Sequence, residues 1–319
     1  MTQSLAKIFI DGEAGTTGLQ IRERLASRSD IELISLDDDR RKDAGARAEA
    51  LNAADVAILC LPDAAAREAV SLVTNPATRV IDASTAFRTA PGWDYGFPEM
   101  TPDHAATLAA SKRISNPGCF PTGTIAMVRP LIEAGLLPAD YPVTVNAVSG
   151  YSGGGKSMIA EYEKTANPVT NPYRPYGLEF EHKHVDEMQV HGRLTHRPLF
   201  QPAVAPYRQG MIVSVPLQLW ALDTVPTGTM IHECLAERYN QLEFVEVSPL
   251  LQTGALPQID PRALNGSNML RIHVFINDNR HQAVLSAVYD NLGKGASGAA
   301  VQNLNLLLGT SAGAGLKAA

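Results

Sequence analysis

Cysteine is scarce. The chain has three in 319 residues, Cys60, Cys119 and Cys234, an odd count with no CxxC pair and no histidine at metal-ligand spacing. This excludes a disulfide framework and a zinc knuckle, predicts no metal site, and leaves single reactive thiols as the interest of these residues. Long apolar runs are also absent: nothing approaches the ~18 consecutive apolar residues of a membrane span. Residues 1–10 lack the basic and apolar regions of a secretory signal, so the sequence predicts a cytoplasmic protein. Positive charge is in deficit, with 27 Lys plus Arg against 33 Asp plus Glu and a net charge of -6. No domain-wide basic footprint exists for nucleic acid. Internal repeats of 20–50 residues are missing, and the only low-complexity stretch is the tail from Gly313. What remains is ordinary globular composition, 45% hydrophobic and 19% charged, and a length that predicts about two domains at roughly 150 residues each.

The first third alternates short apolar runs with helical patterns, as parallel strands joined by crossover helices do. Residues 6–11 (AKIFID) read as a strand, 17–29 as a helix facing Leu19, Ile21 and Leu25 inward, and 31–36 as a second strand. The buried run 56–61 (VAILCL) breaks at Pro62-Asp63 before an alanine-rich helix, 64–73, with Ala66, Val70 and Val73 inward. A short strand at 80–83 precedes a Pro-, Gly- and aromatic-rich loop at 89–102. From about Asn116 the pattern changes to one helix at 121–134, capped by Gly135, and β-type runs at 143–148, 211–220, 270–277 and 282–289. The last two flank Asp278-Asn279-Arg280-His281, a turn of hairpin length. The three prolines within 167–176 predict a loop, and 295–309 patterns as a helix with Val301, Leu304 and Leu308 on one side. The fold class is therefore α/β: a Rossmann-type parallel-sheet domain plus an α+β domain with a mixed, largely antiparallel sheet.

Five motifs carry chemistry. Between the first strand and first helix lies Asp11-Gly12-Glu13-Ala14-Gly15-Thr16-Thr17-Gly18, whose glycines permit a tight turn and bring a pyrophosphate onto N–H groups at a helix N-terminus. Nineteen residues after Gly18 comes Asp37-Asp38-Asp39-Arg40-Arg41-Lys42, where an acid favours NAD and a base accommodates the 2'-phosphate of NADP. Asn116-Pro117-Gly118-Cys119-Phe120-Pro121-Thr122 sets a cysteine just before a helix, whose dipole raises the thiolate fraction. Cys60 and Cys234, inside a strand and a helix-like run, read as inert. His182-Lys183-His184-Val185-Asp186-Glu187 supplies histidines for a proton shuttle, and Gly150-Tyr151-Ser152-Gly153-Gly154-Gly155-Lys156 lets backbone approach a ligand.

Together with LCLPD at 59–63, DASTAFR at 82–88 and DNLGKGASGAA at 290–300, these motifs resemble the N-acetyl-gamma-glutamyl-phosphate reductases, shorter subgroup, in order and spacing along nearly the whole chain. That resemblance implies NADPH-dependent reduction of an acyl phosphate to an aldehyde in arginine biosynthesis, through a Cys119 thioester. It implies His184 as general acid and base with His182 second, and Glu187 orienting the imidazole. It further implies a cofactor held by Gly12, Gly15, Thr16, Thr17, Gly18, Arg40, Pro62, Ser84, Gly153, Gly154 and Asn291, and a substrate held by Arg88, Asn116, Ser152 and Lys156. The chain is then expected to form a homodimer or homotetramer, with 1–117 and 290–319 as the NADP-binding domain and 118–289 as the substrate and oligomerisation domain. Aspartate-semialdehyde dehydrogenase and a non-catalytic Rossmann redox sensor are the alternatives.

Overall fold

The computed structural model describes residues 5–164, 169, 171–250 and 258–318, so positions 167, 168 and 170 of the proline-rich segment lie outside the described residues. The chain divides into two units, the first made of Met1–Pro98, Asp103–Pro117 and Ala296–Leu316. In it, β1 (Ala6–Asp11), α1 (Thr16–Leu25), β2 (Ile31–Ile34), α2 (Ala44–Ala53), β3 (Val56–Leu59), α3 (Asp63–Leu72) and β4 (Arg79–Asp82) alternate strand and helix, followed by β5 (Asp94–Tyr95), α4 (His104–Ala110) and β6 (Arg113–Ser115). The strands form one sheet, ordered β2-β1-β3-β4-β6-β5 and parallel at every pairing. Parallel neighbours need crossovers, which is why helices cover both faces. The alternation of β1 shows the result. Ile8 and Ile10 pack with Ile21 and Leu25 of α1, Leu108 of α4 and Val301, Leu304 and Leu307 of the C-terminal helix (Gly298–Leu308). Phe9 faces the opposite layer, with Leu51 of α2 and Ala69 of α3.

Several details differ from the sequence reading. Leu19 is 42% exposed: two residues before Ile21, it stands about 200° round the helix from it, and the inward stripe of α1 is Gly18, Ile21 and Leu25. On α3, Ala66 and Ala69 are the buried pair, while Val70 and Val73 are half-buried. The helix α2 carries little amphipathic signal, its inward positions being Ala46, Arg47, Ala50 and Leu51, and it starts on an Asp43 cap that accepts from the Ala46 N–H at 2.7 Å. The C-terminal helix is buried on more than one side: Gln302, Asn303 and Asn305 are buried along with Val301 and Leu304, and Leu308 is half-buried. Residues 290–295, read from sequence with the first domain, pack with the second unit.

That second unit comprises Glu99–Pro102, Gly118–Gly295 and Lys317–Ala319. Its elements are α5 (Cys119–Glu133), β7 (Thr144–Gly150), α6 (Gly155–Tyr162), β8 (Arg174–Pro175), α7 (Val185–His191), β9 (Leu199–Ala205), β10 (Met211–Gln218), α8 (Gly228–Arg238), β11 (Val245–Val247), β12 (Leu270–Asn277) and β13 (Gln282–Tyr289). The sheet runs β11-β12-β13-β10-β7-β9-β8, parallel only at β11–β12 and β7–β9. It is mixed and largely antiparallel, as the β-type runs predict. The hairpin closes with Asn277 opposite Gln282, and His281 takes a left-handed conformation (φ 50). Along β10, Met211, Val213, Val215 and Leu217 are buried and the alternate residues are not, because α5 and α8 cover one face of the sheet. Every residue of α5 from Phe120 to Leu131 is buried.

Candidate functional site

In the first unit the glycine loop is built for close approach. Gly12 has φ +88, and a Cβ on it would lie 2.4 Å from the Cys60 carbonyl oxygen; one on Gly18 would lie 2.5 Å from the Gly12 oxygen. Neither position tolerates a side chain, so the loop folds tightly onto the end of β3. Gly15 caps α1 with extended backbone, and Thr16 and Thr17 begin a helix whose N-terminus has no side-chain cap and no acid in its first turn. Its orphan N–H groups suit an anion.

Beside this loop lies a cavity of about 490 Å³, lined among others by Gly12, Glu13, Leu36, Asp38, Arg41 and Arg47. Arg41, rather than Arg40, turns into it: its guanidinium pairs with Glu13 and Asp38, both at 2.8 Å, and Lys42 also lines the wall. Arg40 points outward to Glu49 at 3.6 Å. The backbone explains the difference, since the N–H groups of both arginines donate to the Asp37 carbonyl in a tight turn that sends successive side chains in different directions. Arg47, which the sequence reading passed over, is buried and holds Asp11 at 2.9 Å. Burial raises the Asp11 carboxyl above its ordinary value against the pull of that guanidinium. These residues fit a dinucleotide: glycines at 12 and 18 that leave no room for a Cβ beside an open helix N-terminus, with the cations Arg41 and Lys42 on the neighbouring cavity wall.

The remaining expected residues of this unit are engaged within it. Pro62 is the N-cap of α3, and Ser84 donates to Asp82 at 2.6 Å while accepting from the Ala86 N–H. Arg88 donates to the carbonyls of Asn116 and Ala83 at 3.0 and 3.3 Å. Asn116 donates to the Ala296 carbonyl at 3.0 Å and accepts from Asn303 at 3.2 Å. Both amide ends of Asn116 are therefore tied to the chain, at Ala296 and at Asn303.

In the second unit α5 begins at Cys119 itself, two residues earlier than the sequence predicts, with Gly118 as its extended N-cap. The thiol is half-buried in the first helical turn. Gly118 N–H donates to Oε2 of Glu187 at 3.0 Å, and Oε1 of the same carboxylate lies 4.0 Å from His184 Nε2. Glu187, buried on α7, thus ties the entry of the cysteine helix to the imidazole. His184 is the N-cap of α7, and its N–H donates to His182 Nδ1 at 3.2 Å. The two imidazole rings are 4.7 Å apart, and Phe120 faces both, at 5.9 Å from His184 and 6.2 Å from His182. Tyr176, not singled out from sequence, packs on His182 at 5.6 Å; burial raises its phenol, and Cys119 adds to the rise.

Elsewhere in this unit, Asn291 accepts from the Gly210 N–H at 2.8 Å and donates to Ser152 Oγ at 3.0 Å. Gly153 sits against both anchors: a Cβ there would meet Ser149 Oγ at 3.3 Å and Asn291 Nδ2 at 3.6 Å. Gly153, Gly154 and Lys156 are exposed. The other cysteines are unsuited to nucleophilic work. Burial, with Asp82 and Asp11 nearby, pushes the Cys60 thiol up to about 12, and burial raises that of Cys234.

Comparison with known proteins fits this arrangement. Residues 7–108 match the semialdehyde dehydrogenase NAD binding domain and residues 119–291 the semialdehyde dehydrogenase dimerisation domain. Aspartate semialdehyde dehydrogenase II from Vibrio cholerae, complexed with ASA, shares the fold with a TM-score of 0.73 at 18% identity, over 96% of this chain and 99% of that one. The corresponding enzyme with NADP from Candida albicans gives 0.63 at 16% identity, over 96% and 99%. Fold and site thus define a semialdehyde-dehydrogenase-type oxidoreductase. N-acetyl-gamma-glutamyl-phosphate reductase from Burkholderia ambifaria is 56% identical over 97% of this chain and 98% of its own, and that from Mesorhizobium japonicum 57% identical over 95% and 99%. The chain belongs to the N-acetyl-gamma-glutamyl-phosphate reductase family.

Asp82, at the end of β4, generates a pH prediction. Burial raises its carboxyl from 3.8 to about 6, against the hydrogen bond from Ser84. The folded chain therefore keeps this proton over a window in which the unfolded chain has lost it, so stability falls as pH rises from about 4 to about 6. Asp82→Asn retains an acceptor for Ser84 and removes the titration. Its unfolding free energy, measured in urea, should improve relative to the parent by about 1–3 kcal/mol across that window; parallel pH curves would contradict the assignment.

Proposed function

We propose that the chain reduces N-acetyl-gamma-glutamyl phosphate to N-acetylglutamate 5-semialdehyde, with NADPH as reductant and release of phosphate, as a cytoplasmic step of arginine biosynthesis. The observation that carries this reading is the half-buried Cys119 at the start of a buried helix, with Glu187 bridging its N-cap to His184. Cys119 attacks the acyl carbon as thiolate and expels phosphate, forming a thioester. His184 takes up the thiol proton, and the Glu187 carboxylate stabilises the imidazolium that results. Bound NADPH supplies the hydride that converts the thioester to a thiohemiacetal. His184 lends its proton to the oxygen of that intermediate until it collapses to aldehyde and thiol. His182, whose Nδ1 accepts the His184 backbone N–H and whose ring packs edge-on against the His184 ring at 4.7 Å, orients the second imidazole.

In the first unit Gly12, Gly15, Thr16, Thr17 and Gly18 receive the pyrophosphate, Pro62 and Ser84 shape the walls, and Arg41 with Lys42 reads the 2'-phosphate. Gly153, Gly154 and Asn291 serve the nicotinamide end, while Ser152 and the exposed Lys156 meet the substrate. Arg88 and Asn116 act by holding the chain that leads into Cys119. The chain assembles as a homodimer or homotetramer through the sheet face opposite α5 and α8, where Pro216, Phe275 and Val284 lie side by side and are only partly covered.

The reverse reaction is the test: phosphate-dependent reduction of NADP by N-acetylglutamate semialdehyde, beside aspartate semialdehyde. Turnover is expected with the acetylated aldehyde and only with phosphate; turnover of aspartate semialdehyde alone would replace the substrate. Cys119→Ser should lower turnover by about 10³-fold or more, and His184→Asn by about 10²–10⁴-fold. Full activity in Cys119→Ser would sink the mechanism. In fluorescence titrations, Arg41→Ala should weaken NADPH by about tenfold and leave NADH within about twofold. Arg40→Ala, on an exposed pair, should change neither appreciably; the opposite ranking would return the 2'-phosphate to Arg40.

A further inference from the structure

The first turn of α5 has an unusual attachment. Tyr289, the last residue of β13 and fully buried, donates its hydroxyl to the Cys119 carbonyl at 2.5 Å and accepts from the Gly123 N–H at 3.1 Å. These two backbone groups are the ones an α-helix pairs as i and i+4. The phenol therefore bridges the first helical turn that carries the thiol. Room for it exists because residue 123 is glycine: a Cβ there would lie 2.8 Å from the hydroxyl oxygen and 2.9 Å from a ring carbon. Burial raises the phenol well above its ordinary value, with Cys119 contributing, so the hydroxyl keeps its proton and remains a donor.

The chain beyond Tyr289 grips the same residue from another side. Asp290 accepts from Gln209, from the Gly266 N–H at 2.8 Å and from the Leu292 N–H at 2.9 Å, and Lys294 forms a buried pair with Glu99 at 2.7 Å. Between these anchors, Gly295 donates its N–H to the Asp290 carbonyl, and a Cβ on Gly295 would stand 2.9 Å from Cys119 Cβ. Cys119 is thus held at its carbonyl by Tyr289, and its Cβ fits against residue 295 only because that residue is glycine.

We propose that Tyr289 is a positioning residue for Cys119: its hydroxyl, bridging the Cys119 carbonyl and the Gly123 N–H, fixes the first turn of α5 and so aims the thiol. This rests on the reading of Cys119 as nucleophile. Tyr289→Phe removes only the hydroxyl, and Cys119 carbonyl and Gly123 N–H then pair directly, so the fold should survive while the turn loses its second constraint. That direct pairing moves the Cys119 carbonyl, and the thiol with it, out of the direction Tyr289 sets, and a thiol turned away from the helix end is stabilised less as thiolate.

The experiment measures iodoacetamide alkylation of the Cys119 peptide against pH by mass spectrometry, in the apo protein, alongside steady-state kinetics. In Tyr289→Phe the alkylation curve should move up by about one pH unit, a tenfold slower reaction at pH 7. Turnover should fall about tenfold with KM for both substrates within about twofold. An alkylation curve that superposes on the parent's overturns the proposal, even where turnover falls. If Tyr289→Phe does not fold, Gly123→Ala displaces the hydroxyl and must give the same upward shift; an unshifted curve there overturns it equally. The two readings separate cleanly: activity persisting in Cys119→Ser defeats the nucleophile assignment, whereas the alkylation curve reports on Tyr289 without any turnover.

Discussion

A helix buried along twelve consecutive residues, Phe120 to Leu131, cannot shift without disturbing the core on every side, and its N-terminus is where Cys119 stands. Everything else in the second unit is arranged around that end. Glu187 accepts the N-cap N–H, Tyr289 bridges the first turn and Gly295 lies against the Cβ. The role proposed for Cys119 needs a defined direction, and buried side chains from α7 and β13 supply it. Glu187 has a double part because it sits at the third position of α7: one oxygen reaches the neighbouring helix entry while the other faces the N-cap imidazole.

The first unit works by a different balance. Its cavity mixes carboxylates and cations, with Asp11 against Arg47 and Glu13 and Asp38 against Arg41. A carboxylate there would repel a 2'-phosphate in isolation, but each acid beside the glycine loop is paired to a guanidinium. Arg47 also has a structural part, since Asp11 closes β1 directly before Gly12, and an unpaired buried carboxylate at that point would be costly.

Much of this was legible in the sequence, for identifiable reasons. The strand at 270–277 alternates, and with 282–289 across a turn of hairpin length it matches β12 and β13 residue for residue. The glycine loop and the Cys119 helix are short-range motifs whose spacing is their meaning. What escaped depends on direction in space. Arg40 and Arg41 are neighbours in sequence, and only the turn at Asp37 decides which faces the cavity. Leu19 reads as apolar periodicity, yet its spacing of two from Ile21 puts it on the other side of α1, in solvent. Asn116 has the polarity of a ligand residue, and sequence spacing gives no sign of its bonds to Ala296 and Asn303, far along the chain. Tyr289 reads as the end of a strand, and its hydroxyl has meaning only beside Gly123, 166 positions away. The helix α2 lacks a strong apolar stripe because alanine and a buried arginine make its inward face.

The central claim is that Cys119 carries the acyl group, and acylation in the absence of nicotinamide tests it most directly. The protein is mixed with N-acetyl-gamma-glutamyl phosphate alone, quenched in acid and analysed by peptide mass spectrometry. The account predicts an N-acetylglutamyl adduct on the Cys119 peptide, absent from Cys119→Ser and from the peptides of Cys60 and Cys234. Reduction that proceeds with NADPH while no adduct forms on Cys119 would contradict it.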